Sequence, residues 1–409
     1  MGVSQSNRGM DNGAQASLKK AMDLKDRASD LERFYISGHY YSQIGETEKA
    51  VYIYEQWHQL YPRDTIPINN LGLAYSDLGQ HEKSLSMALE EMKYEPDSAF
   101  SYQDLANAYH SLNRYPEAKA VAEQAVAKKL DSVGIHRLLY VMAADRSDQP
   151  AMDHELAVVR GRPEEEFVLE AKAATESNRG KLKQSHGTFG EAIALAEKSG
   201  EKELAAGMEG QEATHLALVE DCPSSRAAAA SSLERFPSGD NRRLVATALA
   251  YCGDEAKAVS LLNELLKQSP SDTFLNSLSR PEIQAVIQLR KGKYDGALGI
   301  IGAFKPIEMG AGPENSSYSI SYLRGLIYLK KGDGEHAAVE FQRIMDYRYL
   351  RSASIFIPVA GLQVARAYGL QKDTAKSKIA YQDFFAAWKD ADPDLPILLA
   401  AKSEYAKLK

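Results

Sequence analysis

Cysteine is nearly absent: 409 residues contain only two, Cys222 and Cys252. That is too few, and too widely spaced, for a structural zinc site with its four closely grouped ligands. We expect both to be buried as small apolar side chains, with a disulfide in an oxidising compartment as the alternative. The nine histidines are scattered singly, and pairs such as His58 and His81 lack helical ligand spacing. No run of about 18 apolar residues is present to span a bilayer. The opening Met-Gly-Val-Ser-Gln-Ser-Asn-Arg-Gly-Met lacks the apolar stretch of a signal peptide. Positive charge is also in deficit: Lys plus Arg total 49 against 56 for Asp plus Glu, 49 − 56 = −7. That balance repels a phosphate backbone and argues against nucleic acid as a partner. No Gly-x-Gly-x-x-Gly, Walker loop, His-Glu-x-x-His or Gly-x-Ser-x-Gly occurs, and the glycine-rich stretch from Gly310 to Asn315 follows no strand, so it reads as a surface loop. The expectation is a chain with no catalytic residue, no cofactor and no metal.

What is present is periodic. Hydrophobic residues at 44% and charged residues at 26% suit a folded chain. Tyr41, Tyr75 and Tyr109 are spaced by 75 − 41 = 34 and 109 − 75 = 34, which is the tetratricopeptide period. Gly38, Gly72 and Ala106 keep the same phase, as do Gly45, Gly79 and Asn113, then Ala50, Ser84 and Ala118, and Pro62 with Pro96. Small residues at Gly38, Gly72 and Ala50 let two antiparallel helices approach. The tyrosines fill the space between successive pairs. Gly45 and Gly79 end the first helix in a left-handed turn, where a missing side chain avoids a clash. Pro62 and Pro96 stop the second helix.

The pattern blurs from about Val133 to Pro237, where three degenerate pairs are expected. Leu139, Leu156, Phe167, Ala171, Phe189, Ala192 and Ala229 are their expected contact positions. It returns at Val245, Ala246, Gly253, Ala258, Leu262 and Pro270, at Gly292, Ala297, Ile301 and Phe304, and at Gly325, Tyr328, Gly332, Ala337 and Phe341. Ala365, Tyr368, Tyr381 and Phe384 mark a last pair, followed by an amphipathic helix from Leu395 to Leu408 that would cap the stack. At the other end, Ala16 to Leu24 reads as the second helix of a repeat whose first helix is missing, as in a fragment of a longer chain; a natural amphipathic cap is the alternative.

The chain therefore divides into a disordered tail (1–13), an orphan second helix (14–30), three regular repeats (31–132), degenerate repeats (133–238), regular repeats (239–393) and a capping helix (394–409). The expected fold is all-α, a tetratricopeptide-repeat superhelical solenoid of about ten helix pairs with a C-terminal capping helix.

In the tetratricopeptide family the first helices line the concave surface at positions two, five, nine and twelve of each repeat. The resemblance nominates Tyr35, His39, Asn69, Leu73, Gln103, Asn107 and His110 as a peptide-binding groove. Amides there can pair with the main chain of an extended peptide, while Tyr35 and Leu73 offer apolar contact. Members of the family that clamp a terminal carboxylate use lysines and arginines on these helices. The corresponding residues here are Tyr35, Asn69, Phe100 and Asp104, so no such clamp is expected.

Some segments resemble something narrower: the C-terminal tetratricopeptide regions of bacterial serine/threonine protein kinases and of related winged-helix regulators. They are Asp30-Leu-Glu-Arg-Phe-Tyr-Ile, Tyr54-Glu-Gln-Trp-His-Gln-Leu-Tyr-Pro-Arg-Asp, Asn70-Leu-Gly-Leu-Ala-Tyr-Ser-Asp-Leu-Gly, the run from Ala380 to Leu398, and Ala401-Lys-Ser-Glu-Tyr-Ala-Lys-Leu. The resemblance implies a sensory or scaffolding module that binds protein or peptide, with the kinase or DNA-binding domain elsewhere in the parent. A solenoid that takes a small molecule or cell-wall fragment in its central repeats is the alternative. An exposed orphan helix face could also pair two copies as a homodimer.

Overall fold

The computed structural model describes residues 11–312 and 318–408. Among them are 22 helices and no strand. Helix α1 (Asp11–Asp23) comes first among the described residues and packs on the helix that follows it; positions 1–10 of the expected tail lie outside the described residues. Ten antiparallel pairs follow. They are α2 (Asp30–Gln43) with α3 (Thr47–Leu60), α4 (Thr65–Asp77) with α5 (His81–Tyr94), α6 (Ala99–Ser111) with α7 (Tyr115–Ala127), and α8 (Val133–Asp145) with α9 (Gln149–Val159). Next are α10 (Glu165–Asn178) with α11 (Leu182–Lys198), α12 (Lys202–Leu218) with α13 (Cys222–Arg235), and α14 (Gly239–Tyr251) with α15 (Glu255–Gln268). Then come α16 (Arg280–Arg290) with α17 (Tyr294–Ile301), α18 (Ser319–Lys331) with α19 (Gly334–Asp346), α20 (Phe356–Leu370) with α21 (Thr374–Ala387), and the final helix α22 (Pro396–Ala406).

The helix starts are written in short polar side chains. At α2 the Ser29 hydroxyl accepts from the Glu32 amide, and the Glu32 carboxylate accepts from the Ser29 amide at 2.8 Å. Asp64 accepts from the Ile66 amide to start α4 and from the Trp57 indole at 2.9 Å, which ties one repeat to the next. The turns inside the pairs share one device. A residue in the left-handed region stands at Gly45, Gly79, Asn113, Ser147, Gly180, Glu220, Gly253, Gly292, Gly332 and Lys372. The amide after each donates back to a carbonyl five residues earlier, from Glu46 to Tyr41 in the first turn through Asp373 to Tyr368 in the tenth. This is the helix-ending bond that a left-handed residue makes possible.

The same list explains the blurring in the middle. Ser147 and Glu220 occupy turns that glycine would mark, and the interval falls to 180 − 147 = 33 and then lengthens to 220 − 180 = 40. The backbone repeat persists while its sequence marker and its phase both slip.

Apolar burial is local, as a one-dimensional stack requires. Ala50, Tyr54, Trp57, Leu71 and Tyr75 form one cluster in the first two pairs, and separate clusters follow along the chain to a large one around Phe341, Phe356 and Trp388. A Cβ at Gly38 would lie 2.4 Å from the Tyr54 ring, and one at Gly325 would lie 2.6 Å from the Phe341 ring. The small residue of the first helix therefore exists to seat an aromatic of the second.

Two expectations need correction. Cys222 and Cys252 are not independent apolar residues but a disulfide, with Cα atoms 5.4 Å apart. Each sits beside the left-handed residue of its turn, Glu220 or Gly253, and stacking brings the turns of adjacent pairs together. The stretch at Gly310 is not a free surface loop either: Gly310 and Gly312 are buried, and Pro313 to Ser317 lie outside the described residues.

That burial comes from superhelical closure. We call the side carrying the turns within pairs the turn edge and the side carrying the connections between pairs the loop edge. The Thr273 amide donates to the Gly45 carbonyl at 2.8 Å, and the Ala311 amide donates to the Ser76 carbonyl at 3.0 Å. Asp392 donates to Gly180 at 2.9 Å, and the Trp388 indole donates to the Asn178 carbonyl at 2.9 Å. The turn edge of pairs one, two and five thus meets the loop edge that follows pairs seven, eight and ten. The solenoid completes a turn and rests on itself.

Candidate functional site

The seven nominated residues lie on α2, α4 and α6, and the structure divides them. Tyr35, Leu73 and Asn107 are exposed, Leu73 at 50%. The other four already have internal work. His39 packs its ring 4.4 Å from that of Tyr35 and faces the Tyr54 hydroxyl at 3.3 Å. Burial pushes its imidazole down to about 4, so it is neutral at neutral pH. The Gln103 side chain accepts from the Ser132 hydroxyl at 2.6 Å, tying α6 to the start of α8. Burial also lowers the His110 imidazole, with Asp145 opposing the shift.

Asn69 is the most constrained. Its amide donates to Asp104 at 2.7 Å and to Glu91 at 3.3 Å, bridging α4 to α6 and α5. Glu91, buried, also accepts from Ser101 at 3.2 Å. Burial first, and the neighbouring Glu91 charge second, push the Asp104 carboxyl up to about 7 against the donation from Asn69. Asp104 and Glu91 are therefore a partly desolvated pair of carboxyls that share the Asn69 amide.

Part of the inner face is occupied by the chain itself. The 3-10 segment Arg348–Arg351 packs on α6, and Arg351 donates to the Gly312 carbonyl at 2.9 Å. Burial raises the Asp77 carboxyl to about 6, with the Arg351 charge pulling the other way. The His81 imidazole meets the Met309 carbonyl at 2.9 Å. These contacts cover the C-terminal ends of α4 and α6 and leave the starts of the first helices uncovered by them.

The nominated groove leaves out Ile66 and Phe100, which occupy position two of their repeats and are exposed at 39% and 71%; Phe100 enters the sequence reading only as a clamp position. The rule that found Leu73 already contained them. It also missed two buried ionic clusters. His136 lies between Glu155 at 2.6 Å and Asp131 at 3.0 Å, with Arg162 on Asp131 at 3.0 Å. Arg324, buried, bridges Glu308 at 2.8 Å and Glu340 at 2.9 Å. Both clusters join neighbouring helices, and no residue count along the chain reveals them. A cleft of about 360 Å³ is lined by Glu197, Lys202, Ser231, Glu234 and Arg235. Its guanidinium is already held by Glu209 at 2.8 Å and by Glu197. Among the described residues no group of three His, Cys, Asp or Glu could hold a metal ion, and no helix is long and apolar enough to cross a membrane.

Residues 101–134 match the family model described as Tetratricopeptide repeat. No curated protein matches the chain. Among solved structures the chain is similar to yeast Tom70, with 13% identity, 95% of each chain covered and a TM-score of 0.28. It is similar to the human IFIT1 dimer with m7Gppp-AAAA, with 12% identity over 100% of this chain and 88% of that one, TM-score 0.40. It is similar to Naa15/Naa10 bound to HypK-THB, with 14% identity over 93% of this chain, TM-score 0.28, and spans 66% of the chain matched there. All three scores lie below 0.5, so the assignment rests on the matched repeat and on the geometry. One 34-residue match, the same turn bond in ten places and pairwise stacking make this chain an all-α tetratricopeptide-repeat superhelix.

Proposed function

We propose that this chain is a non-catalytic interaction module that binds an extended segment of another protein along the inner face of its first three helix pairs, at Tyr35, His39, Asn69, Leu73, Gln103, Asn107 and His110. The observation that carries this is the exposure of Tyr35, Leu73 and Asn107 on a face whose other members are held rigid by His39, Asn69 and Gln103. Rigid polar walls with free apolar positions let a strand of peptide be gripped at low entropic cost. Nucleic acid is outside the proposed ligand class because the chain carries a net charge of −7.

The resemblance of the segments from Asp30 and from Ala380 supports a parent of the bacterial serine/threonine kinase or winged-helix type. In that setting the module would act as a scaffold or sensor for a signalling protein. Reading the coding sequence upstream of Met1 tests this directly.

The binding test is a peptide library presented to the folded chain, followed by fluorescence anisotropy on the hits. Leu73→Asp should weaken a groove-bound peptide about tenfold or more, as loss of an apolar anchor does. Peptide binding that survives Leu73→Asp, or thermal stabilisation by small molecules and never by peptides, would overturn the groove.

A further inference from the structure

We propose that this chain associates head to tail with a second copy of itself, the turn edge of the later repeats in one molecule seating on the loop edge of the first repeats in the next. The chain already makes this contact within itself, where turns of early pairs receive the connections that follow pairs seven, eight and ten. A Cβ added at Gly45, Gly79 or Gly180 would lie 2.2 Å from Asp272, 2.1 Å from Pro306 or 2.6 Å from Ala391. These turns are shaped for close approach of another edge, because only glycine combines the left-handed conformation with the missing side chain.

The same interface runs out at both ends and leaves complementary halves. On the later turn edge, Gly292 and Gly332 hold the same left-handed conformation, with nothing among the described residues within 4 Å of the position of a Cβ. Lys293 and Lys330 are exposed beside these turns, and Lys372 is the exposed left-handed residue of the tenth. On the early loop edge, Leu60 is exposed at 64% and Phe100 at 71%, with Tyr61, Ile66 and Tyr94 also outward. Leu60 and Tyr94 share one repeat position (94 − 60 = 34), and Ile66 and Phe100 share another (100 − 66 = 34). The apolar exposure is therefore periodic, an edge rather than scattered residues. Glu95 and Asp97, exposed on that edge, are opposite in charge to these lysines, although Asp97 also pairs with Lys128.

Direction agrees as well. Inside the chain an earlier turn always receives a later connection. A second molecule stacked beyond the C-terminal pairs would offer its first connections to the last turns in that same order. Such a contact uses two different surfaces, so it does not close on itself and can continue from copy to copy. The contact is an edge and therefore small, and small interfaces form transiently, so association should be weak and concentration-dependent.

The test is sedimentation velocity of the full chain from micromolar to millimolar protein. Two variants accompany it, each confined to exposed positions: Leu60→Asp with Phe100→Asp, and Lys330→Glu with Lys372→Glu. We expect the wild-type mean mass to rise above the monomer with concentration and each variant to stay monomeric. An equimolar mixture should form a one-to-one dimer and stop there, because each variant keeps one intact edge. A wild type that remains monomeric throughout overturns the proposal. So does a mixture that remains monomeric, or self-association of the lysine variant alone, which would mean loop edge against loop edge.

Discussion

Thr47 donates its backbone amide to the Thr273 hydroxyl at 3.1 Å across 226 residues of chain. The residues at that contact are ordinary turn and connection residues. What brings them together is the accumulated rotation of about seven helix pairs, a property of the whole stack. The consequence for function is that only part of the concave face is open, since later connections lie against the ends of α4 and α6.

If closure is packed as tightly as the glycine positions imply, identical substitutions will differ by location. Gly79→Ala and Gly332→Ala both force a left-handed alanine, at φ 73 and φ 82, which costs about 1 kcal/mol each. Only the first drives a methyl into the Pro306 carbonyl, 2.1 Å away. Gly79→Ala should therefore lose about 2 kcal/mol more, with faster amide exchange at the inter-turn contact. Urea melts of both variants with hydrogen exchange check this, and equal losses would contradict it.

Asp104 makes stability pH-dependent. Its folded value of about 7 lies above the ordinary 3.8 because of burial and the charge of Glu91. Stability from this group is complete below the ordinary value and is lost as pH rises through about 7. Asp104→Asn should thus raise stability by about 1–3 kcal/mol at about pH 8 and change little at about pH 3.5. Thermal melts across pH decide it; a variant that is destabilised at high pH would refute the burial argument.

His136 has the opposite use for its proton. Burial alone would lower its value, but the bonds and charges of Glu155 and Asp131 together raise it above 6.5. The stability it contributes is full below 6.5 and is lost as pH rises through the folded value. Replacing it by glutamine should cost about 2–4 kcal/mol at about pH 6, because buried Glu155 and half-buried Asp131 lose a charged donor, and less at about pH 9. A cost that grows with pH would reverse the assignment.

The Cys222–Cys252 bond closes a loop with a sequence separation of 30 residues between pairs six and seven. Cys222→Ser with Cys252→Ser should lower stability by about 2–4 kcal/mol. Reductant should reproduce the loss in the wild type and have no effect on the variant. Labelling of two thiols in the native chain without reductant would contradict the bond.

How far the fold could be read in the chain varies with what carried the signal. The first three repeats were legible because tyrosine, glycine and proline fall at a fixed interval of 34. Around Ser147 and Glu220 the same turn forms without glycine and with intervals of 33 and 40, so backbone regularity outlasts its residue marker. The disulfide was only an alternative, because proximity across 30 residues follows from stacking and not from spacing. The exposure of Leu73 and Tyr35 was legible from repeat position. The engagement of Asn69 by Asp104 and Glu91 was not, since it depends on which rotamers meet across three helices. The ionic clusters at His136 and Arg324, and closure itself, lie further from any local pattern.

The most direct test of closure is a cross-link at its first contact. Thr47→Cys with Thr273→Cys, placed in the Cys222→Ser, Cys252→Ser chain, should form a disulfide within one molecule under mild oxidation at low protein concentration. The product should be a monomer of altered mobility that trypsin peptides identify as residue 47 joined to residue 273. Two thiols that stay free, or that join only between molecules, would show that the superhelix does not rest on itself.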